Sequence, residues 1–540
     1  MKTAIIIPAI KKNVAFTDDL VKKLAGTSLV QRAIDKAKRI VPREHIYIVT
    51  DSEEICLICQ RNSIQYSYKK NMRLKPQNII KNLSFLFSQL SKQYKELILL
   101  SPYVPLLEEQ NIQKALQKYR SPRNTKFLIP VKREISRAFK TNKRNFRELL
   151  TGDSEQELLI ESQAFKIIST SLIQNGFNIR KVKPVTYEIS PDLIEIRSYQ
   201  DWWVCEKLLK RKRIVFRIMG DEQIGMGHIY RALTLAHEIT DHEVYFVCDE
   251  KSREAVSCLA GKDYWLGVYG QKEITNRIID LKPDLVINDI LKTSRDYILK
   301  IRKQGIKVIN FEDLGTGACH ADLTINELYD KPEIKGKNIL WGQKYFFLRE
   351  EFNEAQPNRF KKQVSTLLVT FGAADPNDFT RKIFRKIRAY CAEMKIKIFL
   401  VTGGGYSHSE ELKKEIEKIS EPQIECVHVT GVMSHIMEKT QIAIAANGRT
   451  VYELAHMNIP SIILSHHKRE MAHSFAKKDR GFFPLGLYKG KKTEDQILFA
   501  LKRLVEDHAL RKDCFNRLKP FRFHKNKQKV LDSIAEILNE

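Results

Sequence analysis

Short apolar, β-branched runs alternate with longer amphipathic stretches along almost the whole chain. This rhythm limits the possible folds more than any other feature. TAIIIPA (3–9), HIYIVT (45–50), ELILLS (96–101), KFLIPV (126–131), RIVFRI (213–218), EVYFVC (243–248), DLVIND (284–289), KVINFE (307–312), STLLVTFG (365–372), KIFLVTG (397–403), IAIAA (442–446) and SIILS (461–465) have the length and composition of strands. Helix-length segments such as 224–239, 376–394 and 408–419 lie between them. Apolar runs without polar alternation suit strands covered on both faces, so the pattern predicts an α/β fold built on parallel sheets.

The 540 residues exceed one ordinary domain. Three blocks are expected. The first, 1–211, closes in QDWWVCEKLLKRKR, a helix with a basic end. The second, 212–360, opens with IVFRI, and the third, 361–540, opens near STLLVTFG and closes in a helix over 527–539. Blocks two and three are similar in size, and each begins with a strand that runs into a glycine loop. Two such lobes imply a cleft between them, a place where nucleotide ligands bind.

The net charge of +27 comes from 92 Lys and Arg spread along the chain. Such a surplus attracts phosphorylated small molecules, nucleic acid or an anionic membrane, and equally keeps a protein soluble. No paired zinc ligands or interleaved aromatic and basic residues accompany it, so nucleic acid is not an expected partner. Nine scattered cysteines, an odd number, suit a reducing compartment, and a cytoplasmic location is expected. Cys56 and Cys59 form a CxxC inside the helical pattern EEICLICQR with no second pair nearby, which predicts buried thiols rather than zinc or redox chemistry. No stretch approaches the roughly 18 apolar residues of a membrane span. MKTAIIIPAIKK has the pattern of a first strand, not of a signal peptide. Membrane contact would then be peripheral, through the basic surface.

Four glycine turns directly follow strands. In GDEQIGMGHIYRALTLA (220–236), Gly225 and Gly227 precede His228 and Arg231 at a helix start. Free N–H groups there favour an anion, and an imidazole at that point can exchange a proton near neutral pH. A histidine that caps or packs at the helix start is the competing explanation. TFGAADPNDFTRKIF (370–384) carries Gly372 and Asp375 into another helix, and VTGGGYS (401–407) is a third turn. In AIAANGRTVYELAHMNIPSIIL (443–464), Asn447 and Gly448 turn the chain and Thr450 begins a helix. Thr450 and Glu453 fit a capping box; alternatively, the 448–450 backbone meets a diphosphate and Glu453 meets ribose hydroxyls.

Residues 213 to about 535 resemble the nucleotide-sugar hydrolases of nonulosonic acid biosynthesis, which remove UDP from 2,4-diacetamido-2,4,6-trideoxy-β-L-altropyranose, and a relative encoded in spore-coat polysaccharide operons. The collinear stretches are IGMGHIYRALTLA, FEDLGTGACHADLTIN, WGQKYFFLREEF, TFGAADPND and AANGRTVYELAHMNIPSIIL. The resemblance implies a GT-B-like pair of Rossmann-type lobes, a UDP-sugar substrate, and His228 as the catalytic group, with no metal or other cofactor. It also implies substrate contacts from Gly225, Gly227, Arg231, Gly372, Asp375, Asn447, Gly448, Thr450 and Glu453. One departure concerns the sugar. The family commonly places an Asp two residues after the Arg of the first strand, whereas Arg217 is followed by Ile218 and Met219, with Asp221 further on.

Residues 1 to about 210 resemble the CMP–sugar-acid cytidylyltransferases, a nucleotidyltransferase-like Rossmann-type domain. The resemblance is carried by AIIIPA, KKLAGTSLVQRAIDKA, IYIVTDSEEI, LILLSPYVPLL and YEISPDLIEIRSYQDWWVCEKLL. The chemical signature departs from that family. The loop expected to cradle CTP reads IKKNVAFTDD (10–19) without glycine, Leu107 stands where an Arg is usual, and the metal-binding Asp-x-Asp is Glu195-Ile196-Arg197. A degenerate domain used for docking or homo-oligomerisation is expected. A remodelled transferase, which would need Mg²⁺, and a sensing domain are the alternatives. Asp51 is either catalytic or the cap of a helix over 52–60.

The expected function is therefore UDP-sugar hydrolysis in nonulosonic acid or surface polysaccharide synthesis. The rivals are a GT-B glycosyltransferase, a bifunctional hydrolase and cytidylyltransferase, and a non-catalytic scaffold.

Overall fold

The computed structural model describes residues 2–540 except 12–15, 17, 71–81, 122–124, 136–138, 143–144, 149–156, 175–181, 221–225, 253–255, 257–258, 260, 420–422 and 429–432. The chain divides into two compact units, Met1–Arg211 and Lys212–Glu540. Among the described residues, no helix is long and apolar enough to cross a membrane.

The first unit is built on an eight-stranded sheet. Its strands are β1 (Thr3–Ala9), β2 (Ile46–Thr50), β3 (Gln65–Tyr68), β4 (Glu96–Leu100), β5 (Phe127–Ile135), β6 (Glu157–Glu161), β7 (Phe165–Ser169) and β8 (Val185–Glu188). The order is β6-β5-β7-β4-β1-β2-β3, with β8 also on β5. Strands β1 to β4 run parallel, whereas β7 pairs antiparallel with both β4 and β5. Every residue of β1, β2 and β4 is buried, as their unbroken apolar runs require. Helix Glu53–Arg61 buries Cys56 and Cys59, and burial pushes the Cys59 thiol up to about 12. Of the two readings of Asp51, the helix cap does not hold. The cap position is Ser52, without a side-chain bond, and Asp51 instead accepts the Lys11 N–H at 2.8 Å.

The second unit holds two Rossmann-type lobes. In the first lobe, β9 (Arg213–Ile218), β10 (Glu243–Asp249), β11 (Trp265–Tyr269), β12 (Leu285–Asp289), β13 (Lys307–Phe311), β14 (Leu323–Asn326) and β15 (Ile339–Trp341) form a parallel sheet in the order β11-β10-β9-β12-β13-β14-β15. In the second, β16 (Thr366–Thr370), β17 (Lys397–Thr402), β18 (Ile424–His428), β19 (Ile442–Ala446), β20 (Ser461–Ser465) and β21 (Phe482–Leu487) run β18-β17-β16-β19-β20-β21. Each order reverses beside its first strand, between β9 and β12 in one lobe and between β16 and β19 in the other. Such reversals open a crevice at the carboxyl ends of the strands. The edge strands QYSY, WLGVY and IECVH escape the sequence pattern because they are only partly covered and carry polar or exposed positions.

Two features join the lobes. Phe346 stacks on Tyr452 at 3.9 Å and Tyr452 on Phe475 at 4.2 Å, inside a core that draws on both lobes. The last helix, Asn526–Asn539, leaves the second lobe and packs Val530 and Ile534 into the core of the first, beside Ile214 and Phe216. Asn526 donates to the Phe346 carbonyl at 2.9 Å, and Lys527 pairs with Glu238 and Glu350.

Candidate active site

Ile218, the last residue of β9, stands in register with Asp289, the last residue of β12. Helix Gly227–Glu238 follows β9, so its first turn meets the end of β12 although some sixty residues separate the two in sequence. There His228 Nδ1 is bonded to Asp289 Oδ1, with both side chains buried. The carboxylate can only accept, so the Asp289 contact calls for a proton on Nδ1, although Arg231 Nη2, a donor, also lies 3.0 Å from that nitrogen; Nε2 is the nitrogen left for chemistry. His228 does not cap the helix, whose cap position is Met226.

Arg231 lies one turn further along the same face. Its Nε donates to Asp289 Oδ2 at 2.7 Å, and its terminal nitrogens reach Asp289, Glu312 and Glu327. Asp289 ends β12, Glu312 directly follows β13 and Glu327 directly follows β14. Three adjacent parallel strands thus each deliver a carboxylate to one buried guanidinium. Burial alone would raise the Asp289 pKa, but the Arg231 charge and then His228 hold it well below the usual carboxylate range. Glu312 is likewise brought down to about 2, against its burial, by His228, Arg231, Arg469 and His473. Glu312 also has φ +51°, a left-handed conformation costly for a residue with a Cβ.

The second lobe meets this cluster with two more arginines. Arg449 donates to Glu327 Oε1 at 2.6 Å and to the Phe347 carbonyl at 3.1 Å. Arg469 donates to Glu312 Oε1 at 3.0 Å. Between the lobes lies a cavity of about 1250 Å³ lined by His228, Glu312, Arg449, Arg469, His473 and the turns at 372–376, 403–405 and 448–450. Among the described residues, no group of three or more His, Cys, Asp or Glu side chains is arranged to hold a metal ion.

The expected site residues separate into several groups. Gly225 and Asp221 lie outside the described residues. His228, Gly227, Gly372, Gly448, Thr450 and Glu453 all line the cavity. At Gly227 a Cβ would come within 3.3 Å of Arg449 Cδ, so its bareness admits the arginine of the other lobe. Gly372 has φ +85°, which only glycine adopts easily. Glu453 is buried, with Oε1 3.0 Å from Arg349 Nε. The capping box is corrected: the helix is Thr450–His456, its cap position is Arg449, and no side chain caps it. Arg231 and Asp375 also line the cavity, and these two and Asn447 are bonded within the protein as well. Arg231 has its guanidinium enclosed by carboxylates and orients Asp289. Asp375 caps helix Phe379–Glu393, accepting the N–H groups of Phe379 and Thr380 at 2.9 and 2.8 Å. Asn447 donates its side-chain amide to the carbonyls of Glu470 and His473, bracing one turn against another.

Asp289, Glu312, Glu327, Arg449, Arg469 and His473 were not singled out from the sequence. The acidic three carried a signal, since a carboxylate at the carboxyl end of an otherwise apolar parallel strand sits where such folds bind ligands. Arg469 and His473 lie in SHHKREMAH, which has no such pattern.

No family model matches the chain. Over 310 residues it is 26% identical to the spore coat polysaccharide biosynthesis protein SpsG of Bacillus subtilis, a match covering 54% of this chain and 88% of that protein. Over 179 residues it is 28% identical to the UDP-2,4-diacetamido-2,4,6-trideoxy-β-L-altropyranose hydrolase of Campylobacter jejuni, covering 32% and 64%. It is also 25% identical over 289 residues to an uncharacterised Methanocaldococcus jannaschii protein, covering 48% of this chain and only 57% of that one. The expected resemblance to this hydrolase and its spore-coat relative is therefore found. Similar solved structures include MurG of Acinetobacter baumannii, with TM-score 0.45 and 13% identity over 60% of this chain and 99% of that one. Another is a CMP-2-keto-3-deoxy-manno-octonic acid synthetase complexed with CTP, with TM-score 0.32 and 11% identity over 39% and 98%.

Proposed function

We infer that the second unit hydrolyses a UDP-sugar, releasing UDP and a free sugar for surface polysaccharide or nonulosonic acid synthesis. The observation that carries this reading is the His228–Asp289 pair, set at the strand reversal of one lobe and facing the glycine turns of the other across the cavity. The similarity to a named UDP-sugar hydrolase supports it.

In this reading Asp289 fixes the proton on His228 Nδ1 and orients the ring. Nε2 takes a proton from water as the water oxygen attacks the anomeric carbon. The bond from that carbon to the β-phosphate oxygen breaks with inversion, and its electron pair leaves with UDP. The backbone N–H groups of 448–450 and the cations of the cavity receive the departing charge. Glu453 holds the ribose. The imidazole supplies the base, so the reaction uses no metal.

The test is a product screen by mass spectrometry on purified protein with a panel of UDP- and CMP-sugars and no acceptor. UDP plus a free reducing sugar supports hydrolysis. Turnover only when a glycosyl acceptor is added makes the protein a transferase instead.

A further inference from the structure

Arg349, in the stretch FFLREEF that follows the last strand of the first lobe, has its guanidinium tied on two sides. Nε donates to Glu453 Oε1 at 3.0 Å, and Nη1 lies 2.7 Å from Glu351 Oε1. Glu351 is itself fixed, because its Oε2 accepts the Ser434 N–H at 3.0 Å. The guanidinium carbon also lies 5.4 Å from the centre of the Tyr230 ring and 5.5 Å from that of Phe352, within cation–π range. Tyr230 belongs to the helix that carries His228, and Ser434 and Glu453 lie on helices of the second lobe. One side chain is thus braced by both lobes and by the catalytic helix.

Glu453 lines the cavity with its side chain only 8% exposed. Among the described residues, Arg349 is the one hydrogen-bond partner of its carboxylate, through Oε1 alone. A carboxylate has about four acceptor sites, so most of its capacity is left for a ligand. Without the tie, the long side chain would spread over several rotamers, and ordering it would weaken binding.

We propose that Arg349 is a positioning residue, whose bond to Oε1 fixes Glu453 so that Oε2 accepts from the ribose hydroxyls of the bound nucleotide, and that this pair sets a preference for ribonucleotide over 2′-deoxyribonucleotide. The assignment rests on the UDP-sugar reading and on Glu453 as the ribose contact. The planar fork matters as much as the charge. It meets Glu351 and Glu453 through different nitrogens at fixed angles, which an ammonium on a flexible stem does not. Because Tyr230 rests against the same guanidinium, a nucleotide seated on Glu453 is also placed with respect to the helix of His228.

The experiment is calorimetric titration of the full chain with UDP and with 2′-deoxy-UDP, on wild type, Arg349→Met, Glu453→Ala and the double variant. Wild type should bind UDP about tenfold tighter than 2′-deoxy-UDP, the effect of one hydrogen bond to a charged group. In Arg349→Met that preference should shrink to about twofold, through weaker binding of UDP. In the Glu453→Ala background the same substitution should change neither affinity by more than about twofold, because it has nothing left to position. Melting temperatures without ligand establish which variants are folded. Should Arg349→Met not fold, Arg349→Lys is read in its place, and it should lose the preference too because it lacks the fork. A preference kept in a folded Arg349 variant, an equal loss of affinity for both ligands, or a further loss in the double variant overturns this assignment alone. Wild type that binds UDP and 2′-deoxy-UDP alike overturns it together with the ribose contact of Glu453. Wild type that binds no UDP overturns the nucleotide-sugar reading as well.

Discussion

Glu195 in the first unit and Glu312 in the second are both largely buried carboxylates paired with arginine, but their partners come from different places. Glu195 bonds Arg197, two residues away and 74% exposed, together with the Ser162 hydroxyl and the Gln163 N–H. Glu312 bonds Arg231 and Arg469, drawn from both lobes, and holds a strained backbone while doing so. The Glu195–Arg197 pair is a local tie that solvent screens and is worth little. The second is desolvated and long-range, and it exists only when the whole second unit is assembled. Charge of that kind is maintained at a cost in desolvation and strain.

This contrast predicts where substitutions act. His228→Ala should lower turnover by about 10²–10⁴-fold, the usual contribution of a general base, while UDP affinity stays near wild type. Turnover at the wild-type level would make His228 structural. Asp289→Asn should cost about 10²-fold in turnover, at the lower end of that range, because the base remains but its proton position is no longer fixed. Steady-state kinetics on the two variants should therefore rank His228→Ala below Asp289→Asn.

Acid should weaken the second unit through the same carboxylates. The folded-state pKa of Glu312 is lowered from 4.5 to about 2, so its contribution is present above the unfolded value and is lost as pH falls from about 4.5 towards 2. That shift corresponds to about 3 kcal/mol. Glu312→Gln should flatten the pH dependence of denaturant midpoints across this window. An unchanged slope would show that Glu312 is not held as an ion.

Glu453→Ala should raise KM about tenfold with kcat little changed, as loss of ribose hydrogen bonds predicts. Arg349 keeps Glu351 at 2.7 Å, so the melting temperature should move little. The smallest effects belong to the first unit. Arg197→Ala should leave UDP-sugar turnover within about twofold, as surface substitutions away from a site do. The full chain with CTP, Mg²⁺ and a sugar acid should release no pyrophosphate above background. Release that depends on the sugar acid would give Glu195 and its neighbours a catalytic role and remove the contrast.

The fold was legible because unbroken apolar runs and period-3.6 patterns are local. Strand runs such as IVFRI and IAIAA lie where the sequence places them. His228 was singled out because the glycines and helix start beside it are contiguous in sequence and carry the resemblance to the hydrolases. Its partner was not, since Asp289 reaches it only through the pairing of β9 with β12, which no local pattern encodes. Asp375 and Arg231 line the cavity and also serve a helix start and a carboxylate cluster, partners that no local pattern encodes. Polar residues in a cleft have two audiences, ligand and scaffold, and sequence alone does not say which one each side chain addresses.

The last helix has a consequence for synthesis on the ribosome. Val530 and Ile534 complete a core whose other members begin at Ile214, so the first lobe cannot reach its final packing until the chain has been made as far as that helix. At about 5–20 residues per second, the stretch between residue 360 and that helix takes roughly ten to thirty seconds to emerge. During that interval the groove awaiting Val530 and Ile534 is open apolar surface, a natural target for a chaperone and for misassembly.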